Sequence, residues 1–256
     1  MVIVCGVLTG LNKGAFYSCS SLTSITIPDS VTFIGDDAFS KCDLLVYNEY
    51  DNAYYLGNDT NKYVVLIKAK TTSIASCNIN DSCKIIYNSA FKECSGLTSV
   101  TISNGVTSIG RTAFSGCSGL TSVTIGNGVI SIGDSAFEGC SGLTSITIPD
   151  YVTSIGGSAF YGCSRITSVT IGNSVDSIGW SAFDDCSSLK IVLYKGTIEQ
   201  WKKISIDSYN GYLTSAARYY YSESEPALNS EGTAYDGNYW HYDTDGVTPV
   251  IWKKEN

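Results

Sequence analysis

The sequence predicts a repeat solenoid: short coils stacked along one axis and sharing a parallel β-sheet. Three observations predict it. The pair Ala-Phe recurs seven times, ending on Phe16, Phe39, Phe91, Phe114, Phe137, Phe160 and Phe183. Successive phenylalanines lie 23 residues apart, except for one step of 52 between Phe39 and Phe91. A cysteine follows each by three: Cys19, Cys42, Cys94, Cys117, Cys140, Cys163 and Cys186. A fixed period of this length marks units that cannot bury their apolar faces alone and do so by stacking.

The unit from Leu143 to Cys163 has the frame L-x-x-I-x-I-x-x-x-V-x-x-I-G-x-x-A-F-x-x-C. Ile146 and Ile148 alternate with Ser145 and Thr147, the two-residue period of a half-buried strand. Pro149-Asp150 turns the chain, as Asn104-Gly105 and Asn127-Gly128 do in neighbouring units. Val152 and Ile155 form a second inward pair, and Gly156 ends that strand. Ser158-Ala159-Phe160 is expected to open one helical turn that seats Phe160 and Cys163 inward. Stacked coils then place Leu/Ile, Phe and Cys in interior columns, and Ser and Thr in rows on the sheet surface.

Counting back from Phe16, Val2 and Val4 take the strand positions, and Leu8 and Leu11 the next inward pair. The chain thus starts in mid-repeat. Array ends need polar caps, so the expectation is a truncated start with the protein continuing upstream. The step of 52 is one coil plus an insertion at about 46–73, with Ala53–Gly57 and Lys62–Ala69 flanking a polar Asn58–Asn61 turn. This reads as a β-hairpin projecting from one face. Ile74, Cys77, Ile79, Cys83 and Ile86 restore the frame. The division is a solenoid over 1–186 and a C-terminal cap over 187–256. In the cap, Leu189, Val192 and Tyr194 form a last strand, and Thr197–Gln200 has capping-box form before a short helix with Trp201. Tyr219–Tyr221, Tyr239–Tyr242 and Trp252 close the stack, with Asp243–Gly246 as a hairpin turn.

The unit L-T-S-I-T-I-P-D-x-V-T-S-I-G-x-x-A-F-x-x-C resembles the BspA-like leucine-rich repeat over about residues 1–186. Gly196–Trp201, Tyr219–Glu223 and Tyr239–Tyr242 resemble the tail that follows such repeats. The resemblance implies a right-handed leucine-rich-repeat superhelix in a surface protein of host-associated microbes. It further implies binding of host proteins or other cells, no enzyme activity, and no defined binding residues.

Composition narrows function independently. Charged residues make up 16% of the 256 and net charge is −8, against about 25% charged in an average soluble domain. Nucleic acid and anionic membrane are disfavoured, since both need clustered cations. No apolar stretch approaches the roughly 20 residues of a spanning helix, and Val2–Leu8 lacks the basic start of a signal peptide.

Candidate chemistry is sparse. Translationally equivalent cysteines have parallel Cα–Cβ vectors, which suits neither a disulfide nor a converging zinc site. They read as buried small hydrophobes, and so do Cys77 and Cys83. A disulfide involving Cys5, Cys77 or Cys83 stays open. His241, the single histidine, sits among aromatics and reads as a packed cap residue. Asp243-Thr244-Asp245-Gly246 starts like a calcium loop, but the twelfth position is Lys254, not Glu. Asp36-Asp37 and Asp184-Asp185 fall in turns, where a glycosidase acid would lack an apolar pocket.

The expectation is therefore a protein without catalytic residues, metal or cofactor. It would be a secreted or cell-surface binding module, a monomer or weak dimer, recognising an extracellular protein or glycan. The candidate contacts are the hydroxyl rows Ser99/Thr101, Ser122/Thr124, Ser145/Thr147 and Ser168/Thr170, with Tyr54 and Tyr55 of the insertion. The alternative is a structural spacer within a larger surface protein.

Overall fold

The computed structural model describes residues 2–3, 8–231 and 233–253. Each regular coil contributes two strands. The first is represented by Ser99–Ile102, Ser122–Ile125, Ser145–Ile148 and Ser168–Ile171. The second has only two residues, as in Ser108–Ile109, Ser131–Ile132, Ser154–Ile155 and Ser177–Ile178. Pairing is parallel and in repeat register: Ser99 faces Ser122, Ser145 faces Ser168, and Ile132 faces Ile155. The second sheet runs through nine strands, whereas the first is split between Ser122–Ile125 and Ser145–Ile148.

The third side of each coil corrects the expected helical turn. Ser135, Phe137 and Gly139 donate their N–H groups to Gly157, Ala159 and Tyr161 of the next coil at 2.7–2.8 Å. The intervening Ala136, Glu138 and Cys140 donate to residues three back at 3.1–3.2 Å. Left-handed backbone at Ser135 (φ 53°) and Gly139 (φ 68°) produces this alternation. A helical turn would direct its N–H groups along its own axis and leave the wall between coils unbonded.

The interior columns form. Phe91, Phe114, Phe137, Phe160 and Phe183 stack with ring centroids 5.0–5.3 Å apart and planes within 16° of parallel. Cys94, Cys117, Cys140, Cys163 and Cys186 are buried beside them, and Cys19 at the N-terminal end is exposed. Phe16 and Phe39 form a separate stack at 6.0 Å, which meets the tilted ring of Tyr87 in place of Phe91.

The insertion causes that break. Ala53–Leu56 and Val65–Ala69 form the expected antiparallel hairpin, with Asn48–Tyr50 as a third strand. It does not project. Val65 and Leu66 pair in parallel with Ile85 and Ile86, so the hairpin continues the second sheet. One face, Ala53, Tyr55 and Leu66, joins the main core. The other, Leu56, Val65 and Ile67, joins an N-terminal core with Leu22, Ile25, Ile34 and Phe39. A strand pair apolar on both faces loses too much by projecting into water.

Past Cys186 the sheets continue. Ile191–Tyr194, Ala217–Tyr221 and Tyr239–Tyr242 extend the first sheet in parallel, and Ser205–Ile206 extends the second. Thr197 caps the Ile198–Trp201 helix through a complete capping box. Trp240 is fully buried and its indole N–H donates to the Tyr194 carbonyl at 3.0 Å. Asp243–Gly246 turns the chain into Pro249–Ile251. Among the described residues no helix is long and apolar enough to cross a membrane. Strand Val2–Ile3 pairs with Ile25–Thr26; Val4 and Cys5 lie outside the described residues.

Candidate functional site

With the interior filled by columns, candidate contacts lie on the coil surfaces. On the first sheet Ser99, Thr101, Ser122, Thr124, Ser145 and Thr147 are exposed in register. The split in that sheet divides the row into two blocks. Ser168 is half-buried and Thr170 is buried, so the accessible row ends at Thr147. Where the first block meets the insertion, Thr101 and Thr124 line a groove of about 600 Å³ with Tyr50, Asn78, Asp81 and Asn127. Amide, hydroxyl and carboxylate groups line it together with Ile79, Ile102, Ile125 and one exposed tyrosine.

The insertion gathers its tyrosines. Tyr47 lies 5.7 Å from Tyr54, and Tyr63 lies 5.5 Å from both Tyr50 and Tyr55. The ammonium of Lys68 sits over Tyr47 and Tyr54. Tyr54 is half-buried. Tyr55 is fully buried and its hydroxyl accepts from the Asn80 N–H at 3.3 Å, so it is core and not a contact residue. Burial also pushes its phenol pKa up.

The second sheet carries a surface the sequence reading missed. Ser131, Ser154, Ser177 and Ser205 face outward in register and, with the glycines that follow Ile132, Ile155 and Ile178, floor a trench of about 610 Å³. Asp36 and Arg111, 4.0 Å apart, bound one end. Trp180 and Asp207 bound the other. The signal was present: the position after the frame glycine reads Arg111, Asp134, Gly157, Trp180, varying while its neighbours repeat.

The reactive groups are occupied. The thiols of Cys42, Cys117, Cys140, Cys163 and Cys186 donate to the phenylalanine carbonyl of an earlier coil, for instance Cys117 to Phe91 at 3.1 Å and Cys163 to Phe137 at 3.2 Å. Cys94, next to the insertion, instead faces the Thr71 carbonyl at 3.9 Å. Burial pushes Cys117 and Cys186 up to about 12. Cys77 and Cys83 are free and buried. His241 lies against Trp252 at 4.1 Å, with Nδ1 2.7 Å from the Tyr242 carbonyl. Asp245 accepts from the Val247 and Thr248 N–H groups at 2.8 Å, so the turn itself occupies its carboxylate. Among the described residues no cluster of three or more His, Cys, Asp or Glu could hold a metal ion.

Comparison with known proteins agrees with this architecture. The family model described as BspA type leucine rich repeat region matches residues 5–64 and 69–190 in six copies. A leucine rich cell surface protein from Faecalibacterium prausnitzii is similar at 34% identity and TM-score 0.61, covering 78% of this chain and 55% of its own. The pneumococcal vaccine antigen PcpA shares the fold at 21% identity and TM-score 0.57, over 79% of this chain and 51% of its own. The chain thus spans about half the length of these two proteins. No curated protein matches. Columns in register, the repeat frame and a family match over most of the chain place this protein in the BspA-type leucine-rich repeat family.

Proposed function

We propose that the chain is a non-enzymatic recognition module, displayed at the cell surface or secreted, that mediates adhesion to a protein or glycan of a host or another cell. The observation that carries the reading is the division of labour in each coil. Apolar and thiol groups are consumed in the columns, while the outward rows are short, uncharged hydroxyls, in register within each block of the first sheet. A broad surface of this kind suits recognition by shape and hydrogen bonding. The similar F. prausnitzii protein, described as a cell surface protein, supports the location.

Beads coated with the chain test this on epithelial monolayers and on bacterial cells. The reading expects saturable attachment that soluble chain competes away. Attachment no greater than that of albumin-coated beads contradicts it and favours a spacer.

A further inference from the structure

We propose that the trench on the second sheet is a binding site for a neutral oligosaccharide, with Trp180 and Tyr209 as its stacking platform. The inference deepens the recognition reading and rests on it.

Trp180 is 55% exposed and Tyr209 65% exposed, and their rings meet edge to face at 5.4 Å. Single exposed aromatics are ordinary, but two in contact form a contiguous apolar patch of the kind that marks binding sites. The other indoles are placed differently: Trp201 and Trp240 are buried and Trp252 is half-buried. An aromatic face carries partial negative charge, and the C–H groups on one face of a pyranose ring meet it favourably. Beside the platform stand the carboxylates of Asp134 and Asp207 and the hydroxyls of Ser154 and Ser177. These are acceptors and short donors for sugar hydroxyls. The floor crosses several coils at about 4.8 Å each, the length of a short linear chain.

Charge decides among ligand classes. The ionised groups lining the trench are Asp36, Asp134, Asp207 and Arg111. Three acids and one base give a local charge of −2, and Asp36 already faces Arg111. Sulfated or uronic glycans and nucleic acid are repelled. A peptide adding as a strand needs an open sheet edge, and here the backbone of the floor strands is used in pairing between coils.

Titration calorimetry of the whole chain with linear hexasaccharides of β-1,4-glucan, β-1,3-glucan and β-1,4-xylan tests the site, with a heparin hexasaccharide and hexalysine as charged controls. The proposal expects saturable binding of at least one neutral hexamer. It expects at least a tenfold loss in Trp180→Ala and in Ser154→Arg, which fills the floor. Thr144→Arg, an exposed position just before the first-sheet strand Ser145–Ile148 and outside the trench, is expected to bind as the parent does. Circular dichroism verifies that each variant is folded. No saturable binding of any neutral hexamer overturns the proposal, as do equal binding by Trp180→Ala and preference for heparin or hexalysine. If coated beads still attach to cells while the neutral hexamers fail, this inference falls and the recognition reading stands.

Discussion

The thiol of Cys140 donates to the carbonyl oxygen of Phe114, 3.2 Å away in the preceding coil. The same oxygen accepts the N–H of Cys117 at 3.1 Å. Cys117, Cys140, Cys163 and Cys186 therefore each fasten one coil to the last while filling a buried column. Removing the sulfur leaves a small void and an oxygen with one partner fewer. Cys140→Ala is expected to lower stability by about 1–2 kcal/mol, measured by urea unfolding. An unchanged midpoint would show that the thiol bond contributes nothing.

Burial also makes the column pH-sensitive. The folded-state values of Cys117 and Cys186 are raised to about 12, against about 8.5 for an unfolded thiol. A group raised on folding stabilises fully below its unfolded value and loses that contribution as pH rises toward the folded value. Stability should therefore fall between about pH 8.5 and 12, by about 1.4 kcal/mol per pH unit for each buried thiol. Cys117→Ala should show a shallower slope than the parent by that amount in urea titrations across this window. Parallel slopes would contradict the assignment.

Thiol access follows from the same geometry. In a Cys5→Ser background, Cys19 is the exposed thiol and the eight other described cysteines are buried. Ellman's reagent should label one thiol rapidly in native protein and all nine in guanidinium. Rapid labelling of several native thiols would mean that the columns are open.

Two glycines separate backbone strain from crowding. At Gly139 (φ +68°) an added Cβ meets nothing nearer than 3.8 Å, so Gly139→Ala carries backbone cost alone, about 1–2 kcal/mol. At Gly128 the added Cβ would fall 2.0 Å from the Asn104 carbonyl oxygen of the neighbouring coil. Gly128→Ala must push two coils apart and should cost more. Thermal unfolding of the pair checks the order, and the reverse order would contradict the coil spacing.

The columns were legible because every copy repeats the same residues, so Phe114, Phe137 and Phe160 could be placed by counting alone. The left-handed wall was not. Its strained positions carry Thr112, Ser135 and Ser158, residues that announce no positive φ as glycine does. The hairpin was legible as strands, but its seat was not. Val65, Leu66 and Ile67 are all apolar, the mark of a strand buried on both faces, but the polar Asn58–Asn61 turn beside them is equally the mark of a hairpin that projects into water. The trench was hidden because two-residue strands are too short to show alternation, so the outward direction of Ser131 and Ser154 emerged only from their pairing.

Stacking in register is the claim on which the other statements depend. Thr98 and Lys190 are exposed and occupy equivalent positions four coils apart, with N–H bonds from Thr121 to Thr98, Thr167 to Thr144 and Lys190 to Thr167 spanning three of the four steps. Nitroxide labels at Thr98→Cys and Lys190→Cys, with Cys5 and Cys19 replaced by Ser, report their separation by pulsed electron resonance. Four steps of about 4.8 Å place the two backbone sites roughly 19 Å apart. A single narrow distribution near 20 Å is the predicted result. A broad distribution, or a mean beyond about twice that distance, would contradict the stacked-coil account.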